Sequence, residues 1–348
     1  MTRATLPQAA YALGFSWRKR ALVRQFLGQD SIRFIRSAQH VPAGAVVAVW
    51  ASGPFGIRWT PLQGRFHFKR IFLEDGFLRS VGLGADLIRP LSWVVDERGI
   101  YYDASQPSDL EFTLQNTRFS AGLLHRAAAL RTQLVASKLT KYNVGAQPLS
   151  RPAGAKGKQL VMVVGQVETD AAIGLGAPGI KTNLALLKSA RLAHPDAWVI
   201  YKPHPDVVAG LRNSGQNEKD ASNWCDESVT DAPMGDMLEA VDIVHVMSSL
   251  AGFEALLRGK AVVCHGLPFY AGWGLTVDTL TLPRRSRRLL LDELIAGTLL
   301  CYPRYVSRVT GSACSAEDAL RELIAWKDRS DSRTPLWRTI LRYFIRHP

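Results

Sequence analysis

Short stretches of this sequence carry side chains suited to acting together on an anionic substrate. In "FLEDGFLRS" (72–80) two adjacent carboxylates, Glu74 and Asp75, close an apolar run, with Arg79 just behind. A fixed carboxylate of this kind can serve as a general acid or base, although Asp-Gly is also an ordinary turn signal. "VVGQVETD" (163–170) carries Gln166, Glu168 and Asp170 at alternate positions, on one side if the strand continues through them. In "VIYKPHPD" (199–206) His204 follows Lys202 and stands between Pro203 and Pro205, whose rings stiffen the backbone and fix the imidazole. At the end of a strand, such an imidazole suits hydrogen bonding to a leaving phosphate. "HVMSSLAGFEALL" (245–257) sets Ser248 and Ser249 where a strand meets a helix. There an N-cap serine leaves backbone N–H groups and the positive end of the helix dipole for an anion. Glu254 is too far along to complete a Ser-x-x-Glu capping box; it either accepts hydrogen bonds from a ribose or is a solvated helix charge.

The flanking patterns predict the elements that hold these residues. Residues 8–38 mix apolar and basic positions at helical spacing and predict a surface or interfacial helix. "AVVAVWASG" and "HFKRIFLEDGF" read as strands, and "LSWVVDERGIYYD" as a hairpin turning at Glu97–Gly99. Residues 109–140 read as helices with Asp109 as N-cap. The Gly, Pro and Ser content of 145–158 marks a linker. Beyond it, strands alternate with helices, the pattern of a parallel, doubly wound sheet whose ligands sit at the carboxyl ends of the strands. "GLGAPG" (174–179) matches a dinucleotide fingerprint but lies well past the strand end and contains Pro178; it reads as a ligand-covering loop. The expected division is an N-terminal α/β domain at 1–148, a C-terminal Rossmann-like domain at 149–310 and a helical tail at 311–348.

Composition narrows the partners. Lys and Arg number 43 against 30 Asp and Glu, a formal charge of +13 that favours anionic ligands or surfaces. No nucleic-acid motif accompanies that charge. The four cysteines are scattered, which argues against a zinc ribbon or a disulfide framework. There is no Asp-x-Asp, P-loop, HExxH or GxSxG, and "RRSRR" (284–288) reads as a solvated basic face. No apolar run is long enough to cross a bilayer and no signal-peptide pattern opens the chain, so a cytoplasmic protein is expected.

Five blocks in order, "EDGFLRSVGLGAD", "PLSWVVDERGIYYDASQPSDLE", "GQVETDAAI", "IYKPHPDVVAG" and "SSLAGFEALLRGKAVVCHGLPFYAGWGLT", resemble the capsule polysaccharide β-Kdo transferases of the KpsC type from about Phe72 to Asp278. The resemblance implies a GT-B-like α/β fold: two Rossmann-like domains facing a central cleft, with helical terminal segments. It implies CMP-Kdo as donor, retention at the anomeric carbon, no metal or further cofactor, and a lipid-linked or surface-glycan Kdo acceptor. Carried onto this sequence, His204, Ser248 and Ser249 hold the CMP phosphate, with Lys202 helping to neutralise it. Gln166 and Glu254 complete the donor site, and Arg79 meets the Kdo carboxylate. Retention points to double displacement, with Asp170 as nucleophile and Glu74 or Asp75 as acid/base. Bacterial sialyltransferases share the CMP leaving group, so an inverting transferase with Asp75 as base is the alternative. A non-catalytic component of capsule assembly or export is a third. Peripheral association with the anionic inner membrane would fall to the basic, aromatic ends, residues 15–26 and 337–346.

Overall fold

Two sheets flank the cleft in a computed structural model that describes residues 8–39, 41–56, 68–81, 88–141, 143, 145 and 151–329. The first part of the chain forms β1 (Tyr11–Leu13), α1 (Trp17–Leu27), β2 (Arg33–Ile35), β3 (Val46–Trp50), β4 (Lys69–Asp75), β5 (Ser92–Asp96), α2 (Asp109–Asn116) and α3 (Ala121–Ala136). The second part begins with β6 (Leu160–Val164), α4 (Ala171–Gly176), α5 (Asn183–Ala193), β7 (Trp198–Lys202), α6 (Pro205–Val208) and β8 (Glu227–Ser228). It continues through α7 (Met234–Ala240), β9 (Ile243–Val246), α8 (Leu250–Leu257), β10 (Ala261–Cys264) and β11 (Val277–Asp278). The chain then runs through α9 (Leu291–Ile295) and a π-helical turn (Ala296–Cys301) to β12 (Pro303–Val306), β13 (Ala313–Cys314) and α10 (Ala316–Arg329).

The second sheet, ordered β11-β10-β9-β6-β7-β8, is parallel throughout. All five residues of β6 are buried, as expected of a central parallel strand covered on both faces. The chain builds outward from β6 in both directions, so the β6/β9 boundary is a topological switch point, where open α/β sheets bind ligands. The first sheet, β13-β12-β5-β4-β3-β1-β2, is mixed: β1 to β4 pair in parallel, and β5, β12 and β13 add antiparallel.

Several expectations change. Residues 8–38 are not one helix but a strand–helix–strand unit, because β1 and β2 are claimed by pairing in the first sheet. The hairpin at Glu97–Gly99 does not form. Instead Asp96 accepts N–H bonds from Arg98, Gly99 and Asp109, which turns the chain into α2. Ser108, not Asp109, caps α2 through the Glu111 amide, while Asp109 pairs with Arg98. "RRSRR" is not a solvated face: Arg284 and Arg285 both pair with the buried carboxylate of Glu111 on α2, and Arg287 pairs with Glu293. "GLGAPG" starts inside α4, so its first glycines are helical. The return to the first sheet begins at Pro303, ahead of the expected boundary at 310, and the Tyr302 hydroxyl donates to Asp96 at 2.7 Å. The boundary at 148 and the basic segment 337–346 lie outside the described residues.

Candidate active site

A cleft of about 790 Å³ is lined from both sheets. On the first side it is built at the carboxyl end of β4. Glu74 is buried there and accepts hydrogen bonds from the Ser52 amide (3.1 Å), the Asp75 amide (3.2 Å) and the Tyr102 hydroxyl (3.2 Å). Burial, and then the neighbouring Asp75 charge, push its pKa up to about 7; the hydrogen bonds from Ser52 and Asp75 oppose that rise. Asp75 is paired with Arg79 at 2.7 Å, and the same guanidinium donates to Ser80 Oγ at 2.9 Å. Gly76 permits this turn. A Cβ there would come within 2.4 Å of Ser92 Oγ, which is held by the Leu78 carbonyl.

The second side sits at the switch point. Gln166, just past β6, accepts from the Ser248 amide (2.9 Å) and donates to Ser248 Oγ (3.3 Å) after β9, fastening the two strand ends together. Gln166 is itself held by Asn183 in both directions. Ser249 caps α8, its Oγ accepting from the Ala251 amide, so the N-terminus of that helix opens on the cleft. Asp170 caps α4 through the Ala172 amide at 3.1 Å and also lines the cleft. His204 Nδ1 accepts from the Asp206 amide at 3.1 Å, so the proton of the neutral ring is carried on Nε2. Burial lowers the His204 pKa against the raising charges of Asp206 and Asp170, which favours that neutral donor form. The Asp170 charge acts on His204 from one side and on Tyr102, the donor to Glu74, from the other. The cleft therefore holds a capped carboxylate, a neutral N–H donor, a helix N-terminus and a buried carboxyl that titrates near neutrality.

The profile of the family described as capsule polysaccharide biosynthesis protein matches residues 66–134 and 119–305. This chain belongs to that family. It is 43% identical over 335 residues to the capsule polysaccharide modification protein LipA of Neisseria meningitidis serogroup B, covering 94% of this chain and 47% of LipA. It is 43% identical over 258 residues to the lipopolysaccharide-processing protein LpsZ of Rhizobium meliloti, covering 74% of this chain and 59% of LpsZ. The chain thus spans about half the length of the curated relatives it matches. Among solved structures it is similar to the β-Kdo 2,7 transferase of Thermosulfurimonas dismutans KpsC, at 38% identity and a TM-score of 0.77. The β-Kdo 2,4 transferase of the same KpsC gives 31% identity and a TM-score of 0.79. Each match covers 91% of this chain and 99% of the solved one.

Within this capsule-family chain, Glu74, Asp75, Arg79, Gln166, Asp170, His204, Ser248 and Ser249 all line one cleft. Lys202 does not. It is buried, its ammonium donates to the carbonyls of Thr230 (2.7 Å) and Ala232 (3.0 Å), and burial lowers its pKa to about 8. Glu254 also stands off the cleft: buried in α8, it accepts from the Lys141 amide at 2.7 Å and is not placed for a ribose. Glu168 does not share a face with Gln166 and Asp170, because β6 ends at Val164. Its two oxygens hold the amides of Asn183 and Gln216. The cleft adds residues not singled out from the sequence, among them Tyr102, Lys141, Arg212 and Lys19, whose ammonium lies 3.5 Å over the Trp50 ring. Tyr102 stood within a block of the resemblance; Lys141 and Arg212 carry no local signal.

Proposed function

We propose that this chain is a retaining β-Kdo transferase of GT-B-like architecture that uses CMP-Kdo to extend a Kdo-terminated surface glycan or lipid-linked acceptor. The convergence of Asp170, the His204 Nε2–H, the N-terminus of α8 and Glu74 on one cleft carries the reading. Similarity to the two KpsC β-Kdo transferase structures supports it. In the first step a free Asp170 oxygen attacks C2 of Kdo. The C2–O bond to phosphate breaks and its electron pair leaves with CMP. The growing negative charge is met by the His204 Nε2–H and the positive end of the α8 dipole at Ser249, both in place before reaction. In the second step Glu74 takes the proton of an acceptor hydroxyl, whose oxygen attacks C2 and releases the Asp170 carboxylate. Two inversions give net retention. The Arg79 pairing commits Asp75 to its ion pair, so Glu74 is the better base.

In this reading the acceptor binds on the first-sheet side of the cleft, whose lining includes Lys19 and Trp50. Among the described residues no helix is long and apolar enough to cross a membrane. The basic face of α1, where Trp17 is 75% exposed, suits contact with an anionic membrane surface.

The deciding experiment supplies CMP-Kdo without acceptor and reads the intact mass. A Kdo adduct that peptide mapping places on Asp170, and that Asp170→Asn lacks along with product, is expected. An adduct on another residue, or full transfer by Asp170→Asn, overturns the mechanism; inverted product stereochemistry overturns retention.

A further inference from the structure

A phosphate leaving from His204 and the α8 N-terminus calls for a cation, and Lys202 points away from it. Resting on the CMP-donor reading above, we infer that Lys141 supplies that cation and that Glu254 is the positioning residue that presents it. Lys141 lines the cleft, and its charge acts on His204 from the second sheet and on Glu74 from the first. It follows α3 on a turn anchored to both sides. Glu254 Oε1 accepts the Lys141 amide at 2.7 Å, and Arg258, the C-cap of the same helix, donates to the Leu139 carbonyl at 3.1 Å. Asn143 brackets Thr140 through its amide and carbonyl and donates to the Ser80 carbonyl at 3.1 Å, reaching the loop that carries Arg79.

Helix geometry supports the assignment. Glu254 lies five residues past the Ser249 cap, about 7.5 Å along the axis. A lysine docked by its backbone at Glu254 can lay its four-carbon stem back toward the helix N-terminus, where the phosphate is seated. A buried carboxylate is also an expensive acceptor for a single amide. Burial raises the Glu254 pKa to about 7; the Arg258 charge, the hydrogen bond from the Lys141 amide and the Lys141 charge oppose that rise.

The charged groups around the two reacting side chains define what the substitution changes. Glu74 faces Asp75 on its own strand, Lys19 from α1, Tyr102 and Lys141. His204 faces Asp206, Asp170, Arg212 and Lys141. Removing the Lys141 charge weakens the phosphate site and makes Glu74 harder to ionise.

CMP is the binding probe, measured by calorimetry, and transfer is followed with CMP-Kdo and a Kdo-terminated acceptor. Lys141→Met should raise the CMP Kd about tenfold and lower kcat/KM for the donor about a hundredfold, the scale of a lost charge-assisted hydrogen bond. It should also move the acid limb of the acceptor pH profile to higher pH. Lys141→Arg should recover most of the CMP affinity. Glu254→Gln keeps an oxygen for the Lys141 amide and should bind CMP within threefold of the parent; Glu254→Ala should reproduce the weak binding. If Glu254→Ala does not fold, the Gln variant and the Lys141 pair decide. A Lys141→Met protein with unchanged CMP affinity and an unmoved acid limb refutes the assignment and leaves the transferase reading standing. A parent protein that neither binds CMP nor transfers Kdo removes the transferase reading instead.

Discussion

Replacing Glu74 with glutamine should harm catalysis and stabilise the fold, and the two effects arise from the same burial. A positioned general base contributes about 10²–10⁴ in rate, so transfer by Glu74→Gln should fall by about that factor. Stability moves the other way because the native carboxyl titrates at about 7 and its ordinary value is 4.5. The folded state holds the proton more tightly, so the stability that Glu74 confers is complete below pH 4.5 and is lost as pH rises through 7. The difference amounts to about 3 kcal/mol by pH 8. Glutamine never ionises and escapes that loss, although its NH2 must face either the Ser52 amide or the Asp75 amide and gives back about 1 kcal/mol. Glu74→Gln should therefore be no more stable than the parent at pH 5 and about 2 kcal/mol more stable at pH 8. Urea unfolding at both pH values, with transfer assayed on the same preparations, measures both effects. Retained transfer, or a stability difference that is the same at pH 5 and pH 8, would refute the reasoning.

Glu111→Ala should destabilise the protein by about 3–5 kcal/mol, because it leaves Arg285 buried without its counter-charge; an unchanged urea midpoint would count against the clamp. The chain His194–His245–His265, with ring nitrogens 3.1 and 3.0 Å apart, gives a separate acid sensitivity. Burial, then the charges of His265 and His194, lower the His245 pKa from 6.5 to about 3. The unfolded chain thus binds the extra proton first, and stability should fall as pH drops below 6.5. His245→Gln should flatten that part of the stability–pH curve, and a slope equal to the parent's would rule out His245 as its source.

Features set by near neighbours were legible in the sequence. A buried apolar run such as Leu160–Val164 announces a central parallel strand wherever its neighbours lie. The prolines beside His204 and the serine before α8 act within a turn of the residue they position, and His204 follows β7 and Ser249 caps α8 as the local pattern predicts. Glu74 and Asp75 were found together, but their separation into a buried carboxyl and an Arg79 partner needed the surrounding fold. Tertiary structure alone decided which cations line the cleft and which are turned into the protein. Lys202 adjoins the His-Pro turn in sequence, yet strand pleating and the loop at Thr230–Ala232 turn its ammonium away. Lys141 reaches the cleft through a contact with Glu254 spanning 113 positions. Arg284 and Arg285 read as solvated charge until α2 brings Glu111 to them. Local spacing encodes period, caps and turns; the direction of a long charged side chain depends on partners that only the folded chain brings within reach.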